Sequence, residues 1–539
     1  MTAFTFSQLT PTAFLERSSR VFPDRTAVID GDRRFSYREF ADRSRRLAGA
    51  LAARGVFPGD RVAALCSNSS AMLEMHYGVP WAGAVLVPLN VRLSAEELEY
   101  ILRHCGARFL IADEQLGGTA AEVASAVGIP LVIAGGDAEE YEQMLAGAEP
   151  LARSCEDERG LLALNYTSGT TGRPKGVMYH HRGAYLQSLA MAMHTGLSPV
   201  SRYLWTLPMF HCDGWCFPWA VTAAGATHVC LPRVDPARIW RLLRTEGITH
   251  FSAAPTVLTM IANAEEAAAG PLDQRVHVQT GGAPPTPTVL SRMSALNMDV
   301  THLYGLTETY GPLAINQWHP EWDDLPAEEQ AELKARQGTG NVIADPLRVV
   351  TQDGTDVPAD GETVGEIVAR GNDVMRGYYL DNEATAAATL VGTTGDTAWF
   401  RTGDLAVVHP DGYLEIRDRS KDIIISGGEN ISSVEIERAI DAHPAVLESA
   451  VVGAPHEKWG EVPVACVTLR PGAEVDDEEL AAFVRSRLAG FKVPKRFVYG
   501  ELPKTSTGKV QKNLLRDRIA ARQGHERKTA GHWAGSRPH

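Results

Sequence analysis

Apolar residues recur along the first half of the chain in two alternating patterns. Residues 39–54 carry them at helical spacing, and residues 60–65 then form a short run typical of a buried strand. The succession returns with a helical pattern over 95–103 and with apolar runs at 107–112 and 129–134. Alternating helices and buried strands are typical of layered α/β domains, so we predict an α/β fold for this large N-terminal part.

The pattern changes twice in the second half. Between residues 363 and 413, short apolar runs are broken by Gly and Asp, which predicts a β-rich subdomain. The dense polar run RDRSKD at 417–422 then separates that region from a new alternation of strands and helices, which predicts a small C-terminal α/β domain. The predicted division is 1–417 for the N-terminal domain, 418–422 for the boundary, 423–522 for the C-terminal domain and 523–539 for a flexible tail.

Length and composition agree with this division. The 539 residues exceed what one hydrophobic core usually organises. Apolar residues make up 44% and charged residues 22%, as in ordinary globular proteins. The formal net charge of −14 argues against nucleic acids and anionic membranes as partners, because proteins that bind them usually carry positive charge. An anionic substrate must then meet a local basic site.

Export and membrane signals do not stand out in the sequence. The N-terminus lacks a basic region followed by a continuous apolar run, and the longest apolar stretch, 77–91, contains prolines and is too short for a bilayer. The seven cysteines are scattered, which fits a reduced chain better than a disulfide framework. Cys212 and Cys216 are the closest pair, but no second pair stands at zinc spacing, so packing is favoured over metal binding. We predict a cytoplasmic protein without stable membrane insertion.

Residues 167–176, TSGTTGRPKG, combine hydroxyls, glycines and a lysine directly after an apolar run. Glycines let backbone N–H groups approach phosphate oxygens, hydroxyls add hydrogen bonds, and Lys175 adds a positive charge. Gly176 follows Lys175 where a Walker A loop needs Ser or Thr, which disfavours a kinase or P-loop ATPase. A flexible surface loop is the alternative, but such a loop has no reason to combine these residues after a buried strand. The segment therefore predicts polyphosphate binding.

This string resembles the phosphate-loop signature of the adenylate-forming superfamily, which comprises acyl-CoA synthetases, luciferases and peptide-synthetase adenylation domains. Further segments resemble the other motifs of that superfamily in the same order, and the resemblance extends from Thr12 to about Arg516. They are GGA at 281–283, YGLTE at 304–308, RTGD at 401–404, DRSKD at 418–422, SGGEN at 426–430 and PKTSTGKVQK at 503–512. The resemblance implies a large adenylate-forming domain with a β-rich subdomain, followed by a small mobile C-terminal domain.

The resemblance also implies roles for single residues. It places the aromatic residue of YGLTE against adenine and gives Mg2+ to Glu308, a hard oxygen ligand of the kind that this metal prefers. Asp404 and Arg419 are expected to bind ribose, Lys421 to act as the hinge, and Lys509 to enter the active site for adenylation. The residues that it assigns to ATP or AMP are Thr167, Ser168, Gly169, Thr170, Thr171, Lys175, Gly281, Gly282, Ala283, His302, Tyr304, Gly305, Thr307, Asp404 and Arg419.

The remaining assignments concern catalysis, the metal, the acid and the thiol. The catalytic residues are expected to be Lys509, Glu308, His211 and Thr167, and the metal ligands Glu308 and Thr167. The acyl pocket is assigned to His211, Trp215 and Gly282, and the tunnel for CoA to Gly427, Gly428 and Glu429. ATP, Mg2+ and coenzyme A are the implied cofactors and co-substrates, a small carboxylic acid is the implied partner, and a homodimer is compatible with the resemblance.

The segment 207–219, LPMFHCDGWCFPW, bears most of the information about the acid. It is rich in aromatic residues, and for Phe217 and Trp219 a place in the core is favoured. His211 and Trp215 stand four residues apart and would share one face if the segment were helical, which would put a polar and a large flat group at a cavity wall. The segment resembles the branch of short- and medium-chain fatty acyl-CoA ligases, which includes plant acyl-activating enzymes.

The same branch leaves alternatives open. Benzoate-like aryl-CoA ligases and methylmercaptopropionate-CoA ligases belong to it as well. An adenylation enzyme that loads a carrier protein is less favoured, because we identify no carrier domain or phosphopantetheine-type Ser motif. A luciferase-like oxygenase is disfavoured by the FHCDGW segment. We therefore predict an AMP-forming acyl-CoA synthetase for a short- or medium-chain acid.

Overall fold

The computed structural model describes residues 5–135, 140–167, 173–282, 285, 287–391, 398–419, 421–426, 429–456, 459–505 and 509–531. The chain divides into two compact units, residues 1–348 with 368–401 and residues 349–367 with 402–539. The segment 418–422 lies inside the second unit, and its role as a domain boundary stays a prediction.

The first unit contains a six-stranded sheet that is parallel except for its last, antiparallel pair. In spatial order its strands are Leu131–Ala134, Ala107–Asp113, Arg61–Leu65, Val85–Pro88, Leu161–Thr167 and Lys175–His180. Side chains of the central strands are buried along almost their whole length, as expected for parallel strands covered on both faces.

The first unit also contains a nine-stranded sheet, whose six inner strands from Met298–Leu306 to Thr26–Asp30 run parallel. In spatial order its strands are Thr339–Gly340, Gly311–Ile315, Met298–Leu306, Val276–Thr280, His250–Ala253, Arg202–Leu204, Thr227–Cys230, Thr26–Asp30 and Arg33–Ser36. The carboxyl ends of parallel strands meet at one edge of a sheet, which is where ligands usually bind in such folds.

Helices of the first unit cover these sheets. The α-helices are Thr12–Val21, Tyr37–Ala53, Ser70–Trp81, Ala95–Cys105, Gly117–Val127, Glu140–Ala146, His181–His194, Phe217–Ala223, Pro236–Thr245, Pro255–Ala262, Pro287–Ala295, Ala327–Ala335 and Asn382–Ala387. Short 3-10 helices are Glu114–Leu116, Glu265–Ala269, Thr307–Thr309 and Pro320–Asp324. The predicted alternation of helices and strands, and with it the α/β fold class, is confirmed.

The β-rich region predicted from the Gly and Asp breaks forms a sheet of its own. Its strands are Arg348–Val350, Gly365–Ala369, Ala398–Val408, Thr389–Val391 and Leu414–Arg419. The strand Ala398–Val408 is antiparallel to Thr389–Val391 through its first residues and to Leu414–Arg419 through its last ones. This pairing fixes the RTGD motif against the start of the DRSKD motif.

The second unit also contains a sheet covered by helices. Its strands, in spatial order, are Glu429–Ile431, Ile424–Ser426, Gly460–Leu469 and Val446–His456, with Arg496–Tyr499 parallel to Gly460–Leu469. The helices are Ser433–Asp441, Asp477–Arg485 and Lys512–Gly531. Part of the predicted tail, 523–531, is therefore helical backbone, and 532–539 lie outside the described residues.

All seven cysteines are free thiols. Cys155 is half-buried and the others are buried. Burial raises the pKa of the Cys105 and Cys212 thiols to about 12, so these groups stay protonated near neutral pH. Among the helices that the structure describes, none combines the length and the apolar character needed to cross a membrane.

Candidate active site

The two ends of the TSGTTGRPKG segment are fixed by strand pairing. Thr167 is the last residue of one strand, Lys175 is the first of the next, and the two stand opposite each other in the antiparallel register. The residues that carry a hydroxyl and an ammonium group are thereby held opposite each other on adjacent strands. Ser168, Gly169, Thr170 and Thr171, which were also predicted to bind the nucleotide, lie outside the described residues.

Lys175 is linked to Glu308 through one tyrosine. The Lys175 Nζ lies 5.0 Å from the ring centroid of Tyr378, a cation–π contact. The Tyr378 hydroxyl donates a 2.8 Å hydrogen bond to Glu308 Oε1. Burial, followed by the charge of Glu308, raises the pKa of Tyr378, so the phenol keeps the proton that it donates. A cation and a carboxylate therefore share one rigid aromatic support.

This donor set fits Mg2+ and a polyphosphate. The carboxylate of Glu308 and the hydroxyl of Thr167 are hard oxygen ligands of the kind that Mg2+ prefers, and Lys175 supplies a positive charge for phosphate oxygens. No metal-type cluster of three or more His, Cys, Asp or Glu side chains is present among the described residues.

Local geometry explains why the YGLTE motif has this composition. A Cβ on Gly305 would lie 1.8 Å from the carbonyl oxygen of Gly311 in the neighbouring strand, so a side chain is excluded there. The Thr309 hydroxyl accepts from the Leu306 backbone N–H at 2.9 Å and donates to the Gly311 carbonyl at 2.8 Å. These bonds close the short turn that carries Thr307 and Glu308.

The GGA segment begins where the strand Val276–Thr280 ends. Gly281 is buried, and a Cβ there would approach the Leu303 carbonyl oxygen to 2.9 Å and the Trp215 ring to 3.1 Å. Gly282 has a φ of +88°, a backbone conformation that favours glycine. The sequence-predicted glycines thus lie beside the neighbouring parallel strand Met298–Leu306. Ala283 lies outside the described residues.

His302 and Tyr304 belong to that neighbouring strand. His302 pairs with Thr280 across the sheet and is buried. Its Nδ1 lies 3.2 Å and 3.1 Å from the carbonyl oxygens of Ala335 and Arg336. These contacts tie His302 to the end of a helix, so its predicted contact with the nucleotide stays a prediction. Tyr304 is 8% exposed and stands nearer the carboxyl end of the strand.

The segment between His211 and Trp215 does not form a right-handed helix, so the shared helical face expected for a helical segment does not exist. Residues 212–216 have φ values of +51°, +39°, +52°, +56° and +63°, so they form a left-handed turn. Four of these residues are not glycine, and each pays a steric cost of about 1–2 kcal/mol in this conformation. Periodicity cannot reveal such a turn, because the four-residue spacing of a right-handed helix does not apply to it. Strain of this kind often marks functional segments.

The turn presses the Trp215 indole into a slot lined by glycines. The side chain is 9% exposed and lies against Gly281 and Gly311, where a Cβ would come within 3.1 Å and 2.9 Å of the ring. The Cys212 thiol lies 3.2 Å from the Thr307 hydroxyl, and the Cys216 thiol faces the Tyr310 carbonyl at 3.9 Å. Trp215 thus lies next to the GGA and YGLTE motifs. Phe217 and Trp219 are fully buried, as predicted.

Asp213 is a residue that the sequence did not single out. It is fully buried, and neither carboxylate oxygen has a hydrogen-bond partner in the part of the chain that the structure describes. Its backbone N–H donates to Asn165 Oδ1 at 3.1 Å. Burial raises the pKa of Asp213 to about 7, and the neighbouring Asn165 amide opposes the rise. The sequence did contain one signal for a special role of Asp213, namely a charged residue within the largely apolar segment 207–219.

The second unit contains the predicted ribose residues. Asp404 and Arg419 are opposite partners on adjacent strands, and Arg419 Nε lies 3.0 Å from Asp404 Oδ1. Asp404 is 3% exposed, and its carboxylate is held in place by this ion pair. A fixed carboxylate is a suitable acceptor for two neighbouring hydroxyls.

Lys509 lies in the same charged cluster. Two hydrogen bonds to Thr505 hold it. The Thr505 N–H donates to the Lys509 carbonyl at 2.7 Å, and the Lys509 N–H donates to the Thr505 hydroxyl at 3.1 Å. Desolvation of the ammonium group, then the positive charge of Arg419, lowers the pKa of Lys509 to about 8, although the residue as a whole keeps an exposed surface. The charge of Asp404 opposes this shift. Three motifs far apart in the sequence therefore converge within the second unit.

The predicted hinge and the CoA segment lie nearby in sequence. Desolvation and then the charge of Arg419 lower the pKa of Lys421, and the Lys421 carbonyl accepts from Arg516 at 3.4 Å. Glu429 is exposed and pairs with Ser426 across a hairpin. Gly427 and Gly428 lie outside the described residues, and a role of this segment in binding CoA stays a prediction.

Tyr378 is the clearest site residue that sequence reasoning missed. It joins Lys175 to Glu308, and it stands in the string RGYYLDNEAT within the region described only as β-rich. Adjacent aromatic residues after an Arg-Gly pair were the available signal. That signal is weak, because an isolated tyrosine pair is as typical of core packing as of a ligand site.

Comparisons with known proteins agree with the order of the motifs. The family model "AMP-binding enzyme" matches residues 15–379, and the model "AMP-binding enzyme C-terminal domain" matches residues 435–509. A peroxisomal acetate/butyrate–CoA ligase of Arabidopsis thaliana is 45% identical over 543 residues, which cover 95% of this chain and 94% of the relative. A 4-hydroxybutyrate–CoA ligase of Metallosphaera sedula is 43% identical, covering 97% and 96%. ATP-bound MatB from Rhodopseudomonas palustris superposes with a TM-score of 0.82 at 28% identity, covering 94% and 99%.

Proposed function

This chain belongs to the AMP-binding enzyme family, and we propose that it activates a short-chain carboxylic acid with ATP and passes the acyl group to coenzyme A. It is an AMP-forming acid–thiol ligase that uses ATP, Mg2+ and CoA. The observation that carries the residue assignment is the contact chain from Lys175 through Tyr378 to Glu308.

A carboxylate resists attack by a thiol because oxide or hydroxide would have to leave. Attack of the carboxylate on the α-phosphorus of ATP expels pyrophosphate and leaves AMP as a good leaving group. The difficulty is electrostatic, because an anion must approach a polyphosphate, and fixed cations at that point lower the barrier. Lys175 takes the phosphate charge, while Glu308 and Thr167 would hold a Mg2+ ion that would neutralise further phosphate charge.

The second unit supplies the other groups. We assign the ribose hydroxyls to Asp404, whose carboxylate Arg419 holds in place. Lys509 carries the ammonium group that meets the attacking carboxylate, and its position in the Asp404–Arg419 cluster supports that assignment. Lys421 is the proposed hinge, and Gly427, Gly428 and Glu429 remain the proposed contacts of CoA.

A short aliphatic acid is the proposed substrate. The indole of Trp215 occupies the space beside Gly281 and Gly311, which leaves little room for a long chain at that wall. The names of the matched relatives include acetate, butyrate and 4-hydroxybutyrate ligases. They do not favour the aryl, methylmercaptopropionate, carrier-loading or luciferase-like alternatives. His211 and Gly282 stay proposed members of the acyl pocket.

Location and assembly are proposed as well. We propose a cytoplasmic protein because its seven cysteines are free thiols, as is usual in a reducing compartment, although relatives that match over the whole chain bear the word peroxisomal in their names. A homodimer is likewise proposed, and light scattering of the purified protein decides between monomer and dimer.

A pyrophosphate-release screen tests the proposed function. Acetate, propionate, butyrate, hexanoate, octanoate, benzoate and 3-methylthiopropionate are compared with and without CoA. Short straight-chain acids are expected to give the highest kcat/KM, with an acyl-CoA as the product when CoA is present. Highest activity with benzoate or octanoate would overturn the proposed acid.

Matched lysine variants test the site itself. Lys175→Met removes the ammonium group above Tyr378, and Lys334→Met removes one that lies 4.9 Å above the ring of Trp318. Loss of one charged contact in a dry site costs about 100- to 1000-fold in rate, so Lys175→Met is expected to be strongly impaired. Lys334→Met is expected to keep wild-type activity. Equal activities would place the polyphosphate elsewhere.

A further inference from the structure

An aromatic cluster joins the helix Ala95–Cys105 to Tyr166 and Tyr379, which are next in sequence to residues of the proposed site. The helix begins with a capping box in which Ser94 accepts from the Glu97 N–H and Glu97 accepts from the Ser94 N–H. It ends at Gly106, whose φ is +63°. Its Leu98, Ile101, Leu102 and Cys105 side chains are buried, which fixes the helix against the sheet. Tyr100 and His104, four residues apart, occupy a neighbouring face.

His104 is the centre of this cluster. Its Nδ1 lies 2.7 Å from the hydroxyl oxygen of Tyr166, and the two rings meet edge to face at 5.7 Å. The ring of Tyr379 meets His104 edge to face at 6.0 Å. The ring of Tyr100 stacks on His104 at 5.6 Å. Three aromatic side chains from three segments therefore contact one imidazole.

Two of these three neighbours are next in sequence to a residue of the proposed site. Tyr166 directly precedes Thr167, and Tyr379 directly follows Tyr378. The Tyr379 N–H also donates to the Gly176 carbonyl at 2.7 Å, next to Lys175.

Tyr100 extends the cluster towards the strand that begins at Lys175. Its ring lies 5.2 Å from the guanidinium carbon of Arg173. The helix Ala95–Cys105 is thereby connected to both ends of the segment that joins Thr167 to Lys175.

We propose that His104 and Tyr100 are positioning residues that hold Thr167, Lys175 and Tyr378 in the geometry required by MgATP. This inference rests on the proposed assignment of the polyphosphate to those residues. Aromatic side chains have few rotamers, so a cluster of them restricts the backbone more than flexible side chains would. Misplacement of reacting groups by about 1 Å can cost about 100-fold in rate, which makes such support consequential.

The hydrogen bond at the centre of the cluster is a neutral one. Desolvation lowers the pKa of His104, with Asp381 opposing, and burial raises the pKa of Tyr166. At neutral pH the bond joins a neutral imidazole to a neutral phenol, and the tautomer of His104 decides which of the two donates. The bond therefore contributes direction rather than net charge, and its loss should change the geometry of the cluster without changing the net charge near the site.

Single and double variants test this role by comparing the change in KM for MgATP with the change in KM for the acid. His104→Ala and Tyr166→Phe each remove one partner of the bond, and Tyr166→Phe keeps the ring. Each is expected to raise KM for MgATP about tenfold while KM for the acid changes less than about twofold. The double variant is expected to be no worse than His104→Ala alone, because both changes remove the same bond.

Conservative and control variants separate positioning from general stability. His104→Asn places an amide near the position of Nδ1 and is expected to recover most of the affinity for MgATP. Tyr100→Phe keeps the ring beside Arg173 and is expected to resemble the wild type, whereas Tyr100→Leu is expected to raise KM for MgATP. His194→Ala, at a half-buried histidine on another helix of the same unit, is the matched control and is expected to leave both KM values unchanged.

Three results would overturn the inference. They are a fall in Tm without a change in KM for MgATP, an equal rise of KM for MgATP and for the acid, and additive effects in the double variant. Lys175→Met is measured in parallel. If it raises KM for MgATP and the His104 variants do not, the proposed site stands and the positioning role fails. If neither has an effect, the polyphosphate assignment itself fails.

Discussion

Trp215 occupies a slot that exists because two neighbouring residues have no side chains. Replacement of Trp215 by Gly is expected to open the volume of the indole and to favour longer acids. Each buried methylene is worth about 0.8 kcal/mol, so a shift of two carbons should change the relative kcat/KM by about tenfold. The measurement is the kcat/KM profile over straight-chain acids from acetate to octanoate.

Trp215→Phe provides the matched control for that experiment, because it keeps an aromatic ring in the slot. Its preferred chain length is expected to fall between those of the wild type and Trp215→Gly. A profile that stays the same in Trp215→Gly would place the indole in the core instead of the acyl pocket.

Asp213 should make the stability of the protein depend on pH. Its pKa is raised to about 7 in the folded state, so the folded state binds the proton more tightly than the unfolded chain. Stability from this group is therefore present below about pH 4 and is lost as the pH rises towards 7, by about 4 kcal/mol in all. Asp213→Asn is expected to remove this loss and to be more stable than the wild type at pH 8.

Urea denaturation at pH 5, 6, 7 and 8 measures the effect. Asp373, which is also buried and has a pKa raised to about 7, remains in the variant, so part of the pH dependence should persist. Asp24→Asn, at an exposed carboxylate, serves as the control. Parallel pH profiles for the wild type and Asp213→Asn would show that Asp213 is not the cause.

At the scale of single elements, the predicted hinge can be tested through its backbone. Proline at position 421 fixes φ near −65°, which should hinder rotation about this residue. Lys421→Pro is expected to keep acid-dependent adenylate formation and to lose thioester formation. Lys421→Ala removes the same side chain but leaves φ unrestricted, so it is expected to keep both half-reactions. Equal loss of both half-reactions in Lys421→Pro would indicate misfolding or a hinge elsewhere.

The elements differ in how well their sequences revealed them. The strand Arg61–Leu65 and the helix Ala95–Cys105 were predicted from apolar spacing over 60–65 and 95–103, because the forces that shape such elements are largely local. The turn at 212–216 could not be predicted in this way. Its left-handed backbone depends on packing against glycines from distant strands, and local propensity opposes that conformation.

The site shows the same division. Short sequence motifs identified four of the site residues, because each of these residues stands in a recognisable string. They are Thr167, Lys175, Glu308 and Asp404. Tyr378 and His104 were not identified in this way, because each acts through contacts with residues far away in the sequence. A single tyrosine or histidine in a helix or loop has no pattern that separates such a role from ordinary packing.

At the scale of the whole molecule, Lys509 belongs to the second unit and Lys175 to the first. A substitution of Lys509 therefore leaves the cation of the first unit in place. Lys509→Ala is expected to slow adenylation by about 100- to 1000-fold, because the approach of the acid to the phosphate loses its cation. Thioester formation from a synthetic acyl adenylate and CoA is expected to remain near the wild-type rate, since that charge problem has then passed.

Two further variants accompany this experiment. Asp404→Ala removes the ribose anchor and is expected to weaken both half-reactions. Lys492→Ala, whose lysine pairs with Glu435 at the surface of the same unit, is expected to weaken neither. The proposed division of labour is wrong if Lys509→Ala is equally defective from the preformed adenylate. Because the pKa of Lys509 is about 8, the adenylation rate of the wild type should also decline as the pH rises through that value.

The buried thiols have a practical consequence for work with a substrate that is itself a thiol. Six cysteines are buried, and Cys155 is half-buried. Burial hinders access to these thiols and favours their protonated form. A disulfide reagent such as Ellman's should therefore react with free CoA, and release its coloured thiolate, much faster than it reacts with these cysteines. The CoA that remains can therefore be titrated in samples drawn from the reaction without removing the native protein. In separate samples with increasing urea and no CoA, the same reagent would report the opening of the cores as a rise in absorbance, so one reagent could report both turnover and unfolding.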